Sequence, residues 1–463
     1  MMNLMEIAGA LGLAEPAANP LCTAVSTDTR KVGKGELFIA IEGENFDGHD
    51  FVDAAARAGA AAAVVSLDWA AAHASALPLL AVGDTRLALG RIARHWRDKF
   101  AIPLIGVTGS NGKTTVKEMI AACLRAQVSA DGLDSATAVL ATSGNLNNDI
   151  GVPTMLLRLN GGHRAAVIEM GMNHPGEIGY LTQLAAPTVA VVNNAQRAHL
   201  EGMGDLAQVA AEKGAIYAGL GESGVAVINA DDAYADFWRE LNRDRRVVTF
   251  GIDKPADVAG RVTQRGLGCM IAMRSPQGEA EIEVRVPGLH NARNALAAAA
   301  AALSAGVRLR AVVAGLSGFE GVKGRLQRRQ AAFGALLIDD TYNANPDSMR
   351  AAIDVLATTP GRKLFVLGDM GEIGERAGQF HDEIGGYAKS QGVDQLFALG
   401  ELAELAARNF GAGGRHFRQV DDLVAVLRKE LDPNTVVLVK GSRFMRMERV
   451  ADAIAVTDEK KAS

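Results

Sequence analysis

The chain has 463 residues, of which 48% are hydrophobic and 22% are charged, and its formal net charge is -5. This composition is that of an ordinary globular protein, and the length predicts about three domains. The basic residues form only short clusters, such as those at residues 243–246 and 325–329. Because nucleic-acid binding requires a clustered basic surface, we expect no nucleic-acid partner.

The three cysteines, Cys22, Cys123 and Cys269, lie far apart and fit no disulfide or metal-binding pattern. Sparse, unpaired cysteines are typical of a reducing compartment. No run of about 18 apolar residues predicts a membrane span. The first residues also lack the basic segment that begins a secretory signal. We therefore expect a cytoplasmic protein with no membrane partner.

Residues 1–100 predict a first α/β domain. Short apolar runs predict strands at residues 37–41, 62–65 and 79–82, and helical spacing marks residues 51–58 and 86–96. We expect Phe46 and Phe51 to pack in the core of this domain.

Residues 101–320 predict a second, larger α/β domain, which begins after a charged, Pro-containing boundary at residues 98–103. Buried strands are predicted at residues 104–107, 166–168, 189–192, 225–228 and 247–250. Helical segments lie between several of them, which favours a largely parallel sheet wrapped by helices. Residues 258–286 alternate instead like an antiparallel patch, and the Ala-rich residues 295–303 predict a buried helix.

Residues 321–463 predict a smaller, doubly wound α/β domain. Strands are predicted at residues 335–338, 364–367, 395–399 and 436–439. Helices are predicted between and after them, at residues 348–357, 375–390, 402–409, 423–431 and 445–455.

The strongest local signal is the sequence TGSNGKTT at residues 108–115, which follows an apolar strand and precedes a predicted helix at residues 116–126. That setting is the one a phosphate-binding loop requires. Glycines let backbone N–H groups approach an anion, and the N-terminal end of the helix attracts it. Lys113 can reach the β- and γ-phosphates of ATP, and Thr114 can place its hydroxyl on Mg²⁺.

The loop departs from the general G-x-x-x-x-G-K-[ST] pattern, because Val107 stands at the first glycine position. The alternative is a Gly-rich strand–helix turn with an exposed lysine. The correct strand–loop–helix setting favours the phosphate loop.

The loop resembles the nucleotide loop of the Mur ligase family, and further landmarks follow it in the order of that family. They are the segments at residues 143–153, 169–172, 198–201, 290–294, 323–326, 340–346, 367–370 and 440–443. Each segment alone is a modest signal, whereas the ordered set is specific and covers nearly the whole chain. Residues 129–138 are longer than the family pattern, and we expect a surface insertion there.

The resemblance implies an α/β fold of three domains. An N-terminal α/β domain for the uridine-nucleotide substrate spans residues 1–100, a central P-loop ATPase domain with a parallel sheet spans residues 101–320, and a C-terminal Rossmann-like domain spans residues 321–463.

The resemblance also implies an ATP-dependent, ADP-forming ligase that uses Mg²⁺ and acts through an acyl phosphate. The segment at residues 342–346 is most similar to the family member that adds D-alanyl-D-alanine to UDP-N-acetylmuramoyl-tripeptide. That reaction belongs to cytoplasmic peptidoglycan synthesis, and hence to cell wall biogenesis, cell shape and cell division. We expect a monomer. The alternatives are a sibling ligase that adds a single amino acid and a P-loop regulator that binds ATP without ligating anything.

The resemblance assigns roles to residues by their positions in the family motifs. The expected catalytic residues are Lys113, Glu169, His199 and Arg325. The expected ATP-binding residues are Thr108, Gly109, Ser110, Asn111, Gly112, Lys113, Thr114, Thr115, Asn291, Asn294, Arg325 and Asp340. The expected metal ligands are Thr114, Glu169, His199 and, if it is carbamylated, Lys213. The expected substrate-binding residues are Ser26, Asp28, Arg30, His49, Asn147, Asn148, Asn343 and Asn345.

Several of these assignments have structural alternatives. Glu169 and His199 follow strands, at the end where an open α/β sheet places its site, but polar residues there also bind backbone groups. Lys213 could be an exposed helical lysine, and Asn294 a polar residue of the core. Taken alone, His49 is more typical of a loop histidine than of a ligand contact.

Overall fold

The computed structural model of the chain describes residues 1–43, 46–198 and 200–456. These residues form three α/β units built on a four-stranded, a nine-stranded and a six-stranded sheet, with a small two-stranded sheet at the N-terminus. The predicted α/β fold class is therefore confirmed. None of the described helices is both long enough and apolar enough to cross a membrane.

The N-terminal unit has a parallel sheet in the order β3-β4-β5-β6, and a short antiparallel pair of β1 and β2. Its strands are β1 (Met2–Asn3), β2 (Leu21–Cys22), β3 (Val25–Ser26), β4 (Leu37–Ile39), β5 (Ala62–Ser66) and β6 (Leu79–Val82). Its helices are α1 (Leu4–Leu11), α2 (Val52–Ala58), α3 (Leu67–Ala72) and α4 (Thr85–Arg97). The three predicted strands and two predicted helices occur, whereas β1, β2 and β3 are two-residue strands too short to leave a sequence pattern.

The central unit contains the large sheet, in the order β15-β14-β13-β12-β11-β10-β7-β9-β8. Its strands are β7 (Leu104–Thr108), β8 (Val139–Ala141), β9 (Ala165–Glu169), β10 (Val189–Val192), β11 (Val225–Asn229), β12 (Arg246–Gly251), β13 (Val258–Arg265), β14 (Gly268–Ser275) and β15 (Gly278–Val284). The seven strands from β13 to β8 are parallel, and the pairs β13–β14 and β14–β15 are antiparallel. The predicted parallel sheet and antiparallel patch are both confirmed.

Helices cover both faces of the central sheet, as a parallel sheet requires. They are α5 (Lys113–Ala130), α6 (Ser135–Ala138), α7 (Gly151–Leu156), α8 (Glu177–Ala185), α9 (Leu200–Met203), α10 (Leu206–Gly214), α11 (Ala235–Leu241), α12 (Leu289–Ser304) and α13 (Leu309–Ser317). Apolar side chains of α5, α12 and α13 pack on one face, and those of α7, α8, α10 and α11 on the other. The Ala-rich helix α12 is buried, as predicted. Residues 129–138 are mostly exposed, as expected of a surface insertion.

The C-terminal unit has a sheet in the order β16-β17-β21-β18-β19-β20, in which β16 alone runs antiparallel. Its strands are β16 (Gln327–Gln330), β17 (Leu336–Asp340), β18 (Arg362–Gly368), β19 (Gln395–Leu399), β20 (Gly414–Phe417) and β21 (Thr435–Lys440). Its helices are α14 (Pro346–Thr358), α15 (Ala377–Ser390), α16 (Ala403–Phe410), α17 (Val420–Lys429) and α18 (Glu448–Ile454). Short 3-10 segments occupy Gly48–Phe51, Ala215–Gly219, Ala332–Gly334, Gly374–Arg376 and Arg443–Met445.

The prediction that Phe46 and Phe51 pack in the core was wrong. Their side chains are 75% and 38% exposed. Phe46 lies in a loop, and Phe51 ends the 3-10 segment before α2 on its outer side. Local hydrophobicity cannot tell which side of a short turn faces the core.

The parallel strands bring their carboxyl ends to the same edge of each sheet. In the central sheet the register aligns Val107 of β7 with Glu169 of β9, and Thr108 of β7 with Val192 of β10. In the C-terminal sheet, Asp340 at the end of β17 stands beside Lys440 at the end of β21. The loops that follow these strands are therefore neighbours, which is how an open α/β sheet builds a site.

Two Gly→Ala substitutions should have opposite effects on stability, because only one of them lies where α13 packs closely on α5. A Cβ at Gly315 would stand 2.6 Å from backbone atoms of Cys123 in α5, whereas Gly9 on α1 has nothing within 4 Å of that position. Gly315→Ala should lower stability by about 1–3 kcal/mol through overpacking. Gly9→Ala, the matched control, should raise it by about 0.5–1 kcal/mol because alanine favours helix. Thermal unfolding of both variants checks this, and a Tm for Gly315→Ala at or above wild type would contradict the packing.

Candidate active site

The phosphate-loop sequence forms a turn between β7 and α5. Gly112 begins the helix with a φ of 79°, a left-handed conformation that favours glycine. A Cβ there would also stand 2.5 Å from Oδ1 of Asn294, so the helix start lies close against α12. Nζ of Lys113 donates to the carbonyl of Gly109 at 2.7 Å, which folds the side chain back over the turn. Burial lowers the pKa of Lys113, and the nearby Glu169 carboxylate opposes that shift.

The loop that follows β10 holds the phosphate loop in place through hydrogen bonds. The backbone N–H of Ser110 donates to the carbonyl of Asn194, and that of Asn111 donates to Oδ1 of Asn194. Nδ2 of Asn193 and Nδ2 of Asn194 both donate to the carbonyl of Asn111. The first turn of α5 adds N–H groups that have no partner within the helix and are available to an anion.

A chain of buried amides extends this support to α12. Nδ2 of Asn193 also donates to Oδ1 of Asn294 at 2.9 Å, and Nδ2 of Asn294 donates to Oδ1 of Asn291 at 3.0 Å. Nδ2 of Asn291 in turn donates to the carbonyl of Pro287. Asn294 therefore has the core-polar role that the sequence left as an alternative, while both α12 asparagines also line the cavity described below.

Glu169 lies at the end of β9 with its side chain buried. Its Oε1 accepts from Nδ2 of Asn147 at 2.9 Å. Its Oε2 is buried and has no hydrogen-bond partner among the described residues. A buried carboxylate oxygen without a partner is costly unless a cation or a donor joins it.

Lys213 projects from α10 into the interior, and its side chain is 1% exposed. The alternative of an exposed helical lysine is therefore wrong. Its Nζ lies 3.8 Å from Sδ of Met172, and within the described parts of the chain no carboxylate forms an ion pair with it. Burial lowers the pKa of Lys213 well below its usual value, and the nearby Lys113 ammonium lowers it further.

Arg325 reaches the phosphate loop from the C-terminal unit. Its Nη2 donates to the hydroxyl of Thr114 at 2.9 Å, and its guanidinium stacks on the ring of Tyr342 at 4.2 Å. Its Nε is buried and has no partner in the described parts of the chain. Arg325 thus presents a positive charge, with one unused donor, beside the start of α5.

The ends of β17 and β21 form the opposite wall. Asp340 accepts from the backbone N–H of Leu326 at 3.1 Å and forms a buried ion pair with Lys440. Nζ of Lys440 also donates to the carbonyl of Asn343, whose own Oδ1 accepts from the next backbone N–H. Asn345 caps α14 through a capping box with Ser348.

These groups face one cavity of about 790 Å³ between the units. Fifteen of the residues selected from the sequence line it. They are Ser110, Asn111, Gly112, Lys113, Thr114, Thr115, Asn147, Asn148, Glu169, Asn291, Asn294, Arg325, Asp340, Asn343 and Asn345. Thr108, Gly109 and Lys213 lie behind this lining, and the Thr108 hydroxyl donates to the carbonyl of Met170. His199 lies outside the described residues.

The four residues selected in the N-terminal unit lie apart from the cavity lining. Arg30 donates to both carboxylate oxygens of Asp28, and its side chain is largely exposed. The Ser26 hydroxyl bonds the backbone of Asp28. His49 is buried, with Nδ1 against Asp47 and Nε2 accepting from the backbone N–H of Ser66. Arg86 is the residue through which this unit reaches the cavity.

Sequence reasoning missed several residues of the cavity and its supports. The loop after β10 supplies Asn193, Asn194 and Gln196, and the end of β21 supplies Lys440. All of them directly follow or end predicted strands, so the strand-end rule that selected Glu169 would also have found them. Asp347 and Glu372 carry no such signal, because they depend on how the C-terminal unit is placed.

Three successive parts of the chain match one family. Residues 22–97 match the Mur ligase family catalytic domain, residues 107–302 the Mur ligase middle domain, and residues 324–443 the Mur ligase glutamate ligase domain. These matches cover the three α/β units in order.

Relatives of known function and solved structure extend the match along the chain. The chain is 44% identical to UDP-N-acetylmuramoyl-tripeptide–D-alanyl-D-alanine ligase of Haemophilus influenzae, and the match covers 92% of each chain. It is 42% identical to the ligase of the same name from Escherichia coli, and that match covers 93% of each chain. Crystal structure I of MurF from Acinetobacter baumannii is 34% identical with a TM-score of 0.88, over 98% of both chains. MurF ligase from Thermotoga maritima in complex with ADP is 26% identical with a TM-score of 0.79, over 93% of this chain and 96% of that one. The chain belongs to the Mur ligase family.

Proposed function

We propose that this chain is an ATP-dependent, ADP-forming ligase that adds D-alanyl-D-alanine to UDP-N-acetylmuramoyl-tripeptide. The observation that carries the proposal is that three features face one cavity: a phosphate loop, a Glu169 carboxylate oxygen with no partner among the described residues, and an arginine from another unit. The relatives that bear the name of this reaction match nearly the whole chain. The activity belongs to peptidoglycan precursor synthesis, and so to cell wall biogenesis, cell shape and cell division.

ATP binds with its phosphates at the start of α5. The N–H groups of the first helical turn and the Lys113 ammonium hold the β- and γ-phosphates. Asn291, Asn294 and Asp340 hold the nucleoside. The structural relative from Thermotoga maritima was solved in complex with ADP, which agrees with this use of the cavity.

The described residues fit a magnesium ion beside the phosphates. Glu169 Oε2 is a buried, unpartnered anionic oxygen, and Thr114 adds a hydroxyl; both are the hard oxygen ligands that Mg²⁺ prefers. We also assign His199 to this site. When bound, the ion neutralises the charge that develops on the transferred phosphoryl group. The Thr114 hydroxyl accepts from Arg325 through one lone pair, and its second lone pair is the one that would take the metal ion.

The reaction has two steps, and both take place in this cavity. The terminal carboxylate of the tripeptide attacks the γ-phosphorus of ATP, which forms an acyl phosphate and releases ADP. The amine of D-alanyl-D-alanine then attacks the acyl carbon, loses a proton, and inorganic phosphate leaves as the amide forms. Lys113 and Arg325 stabilise the negative charge of the phosphoryl group in both steps.

The substrates approach from different units. Ser26, Asp28 and Arg30 take the uridine diphosphate, with the exposed Arg30 as the cation, while His49 holds the surrounding loop in place. Asn147 and Asn148 lie on the path of the tripeptide, and Asn343 and Asn345 on that of the dipeptide. The enzyme acts in the cytoplasm as a monomer, with neither membrane nor nucleic acid as partner.

Phosphate release from ATP and Mg²⁺ tests the function directly. Release should require both UDP-N-acetylmuramoyl-tripeptide and D-alanyl-D-alanine, and mass spectrometry should find the two joined by an amide. A response to a single amino acid instead of the dipeptide would identify a sibling ligase. Absence of release with any acceptor would leave a nucleotide-binding regulator.

Lys113→Ala should lower the rate of ligation at least about 100-fold, because one electrostatic partner of a transition state is typically worth a factor of 10² to 10³. Its circular dichroism and Tm should stay near wild type. Lys429→Ala, an exposed lysine on α17, is the control and should keep full activity. Turnover of Lys113→Ala above about a hundredth of wild type would count against the phosphate-loop role.

Lys213 should be carbamylated, because its buried amine has a lowered pKa and no carboxylate partner among the described residues. The carbamate converts a buried cation into an anionic oxygen ligand for a second Mg²⁺. Lys213→Ala should lose ligation and regain part of it with a short carboxylic acid such as acetate. With ¹³C-labelled bicarbonate, wild type should show a carbamate signal that Lys213→Ala lacks.

The matched control is Lys117, which is equally buried but paired with Glu118 and the carbonyl of Thr142. An amine held by a carboxylate and a carbonyl is not expected to react with CO₂, so the signal should persist when Lys117 is replaced by methionine. A carbamate signal absent from wild type would overturn this assignment.

A further inference from the structure

The loop after β10 is joined to the C-terminal unit by four hydrogen bonds between Arg197 and Asp347, whose side chains form an ion pair. The backbone N–H of Arg197 donates to Oδ2 of Asp347 at 2.8 Å. Nε of the same arginine donates to Oδ1 of Asp347 at 3.1 Å and to Oδ2 at 3.2 Å, and its Nη2 donates to Oδ1. The two side chains are 34% and 22% exposed, so water screens the pair only in part. The opposite side of the guanidinium lies over the ring of Phe380 at 5.6 Å.

A second set of contacts runs parallel to this pair. Nδ2 of Asn345 donates to Oδ1 of Asn111 at 2.7 Å. Nδ2 of Asn111 donates to Oε1 of Gln196 at 2.6 Å, and Gln196 directly precedes Arg197. Asn111 lies in the phosphate loop, whereas Asn345 and Asp347 begin α14. The contacts therefore close a ring, here called the hinge ring, formed by Asn111, Gln196, Arg197, Asp347 and Asn345.

The hinge ring ties together the units that carry the two catalytic cations. Lys113 begins α5 in the central unit, and Arg325 belongs to the C-terminal unit. Residues 318–326 connect the two units without a helix or strand of their own, and within them the Val322–Arg325 bridge orders only a short turn. Contacts across the cavity must therefore set the position of Arg325 relative to the γ-phosphate.

We propose that Arg197 and Asp347 are positioning residues for the ligation reaction, which hold the C-terminal unit in the orientation that places Arg325 at the phosphate loop. This role rests on the proposed function. The pair sets the positions of Arg325 and of the acceptor substrate, and it does not itself contact the reacting atoms. A displacement of about 1 Å at reacting groups can cost about 100-fold in rate.

Asp347 has a second stabilising interaction that the test must separate. It lies in the first turn of α14, where a negative charge is favoured by the N-terminal end of the helix. Replacing it alone weakens both the helix and the ion pair. A double-mutant cycle with Arg197, which lies on another unit, isolates the ion pair.

The experiment measures kcat and KM for Arg197→Gln, Asp347→Asn and the double variant in the full chain. Each single variant should lower kcat about 10- to 100-fold, with KM for UDP-N-acetylmuramoyl-tripeptide within twofold of wild type. The double variant should be no worse than the poorer single variant. Asp131→Asn, which breaks the more exposed ion pair with Arg308 inside the central unit, is the control and should leave kcat unchanged.

Small-angle X-ray scattering gives a readout independent of turnover. With ADP, Mg²⁺ and UDP-N-acetylmuramoyl-tripeptide present, Asp347→Asn and Arg197→Gln should have a larger radius of gyration than wild type. Wild-type kcat in the single variants, multiplicative losses in the double variant, or unchanged scattering would each overturn the proposal. If wild type itself ligates nothing, the proposed function fails, and the scattering alone decides whether the pair holds the units together.

Discussion

The site depends on keeping the first turn of α5 open to an anion while everything behind it is hydrogen-bonded. The loop after β10 occupies several polar groups of the phosphate loop. Asn194 takes the N–H groups of Ser110 and Asn111, and Asn193 and Asn194 occupy the carbonyl of Asn111. The first turn of α5 adds the N–H groups that a helix start leaves unpaired. The proposal that phosphate binds here rests on these groups, because the N-terminus of a helix favours an anion.

Around that anion site, the chain leaves polar atoms unsatisfied in a pattern that suits the proposed chemistry. Glu169 Oε2 and Arg325 Nε are both buried without partners among the described residues. One is an acceptor suited to a metal ion, and the other a donor suited to a phosphoryl oxygen. Each unpaired buried polar atom costs about 1–3 kcal/mol. Arg350, Gln395 and Glu448 carry such atoms away from the cavity, so an unpaired atom alone does not identify a site. The two in the cavity are an acceptor and a donor that face the same space, which agrees with ligands that bring the missing charges.

Much of the fold could be predicted from the sequence because parallel strands leave continuous apolar runs. The strands that carry the site, β7, β9, β10, β17 and β21, were all predicted within one or two residues. The phosphate loop and Glu169 followed from their places at strand ends. Two-residue strands such as β3 and the polar edge strand β16 left no comparable pattern. Local hydrophobicity also could not predict which side of their turns Phe46 and Phe51 occupy, and both side chains are exposed.

What the sequence could not predict depends on contacts between residues far apart in the chain, some within one unit and some between units. The burial of Lys213, the stacking of Arg325 on Tyr342 and the pairing of Arg197 with Asp347 join residues far apart in the chain. No periodicity encodes such contacts. The same holds for Asp340, whose partner Lys440 is set by the pairing of β17 with β21. The structure shows these contacts, which bring residues from different parts of the chain to one cavity.

The central claim is that the tripeptide carboxylate becomes an acyl phosphate in this cavity. Tripeptide substrate labelled with ¹⁸O in its terminal carboxylate tests that claim most directly, with the released phosphate analysed by mass spectrometry. One carboxylate oxygen bridges to phosphorus in the acyl phosphate and leaves with it, so we expect one ¹⁸O atom in each phosphate released. Phosphate free of label, formed in step with the amide product, would show that ATP is cleaved without phosphorylating the carboxylate and would contradict the claim.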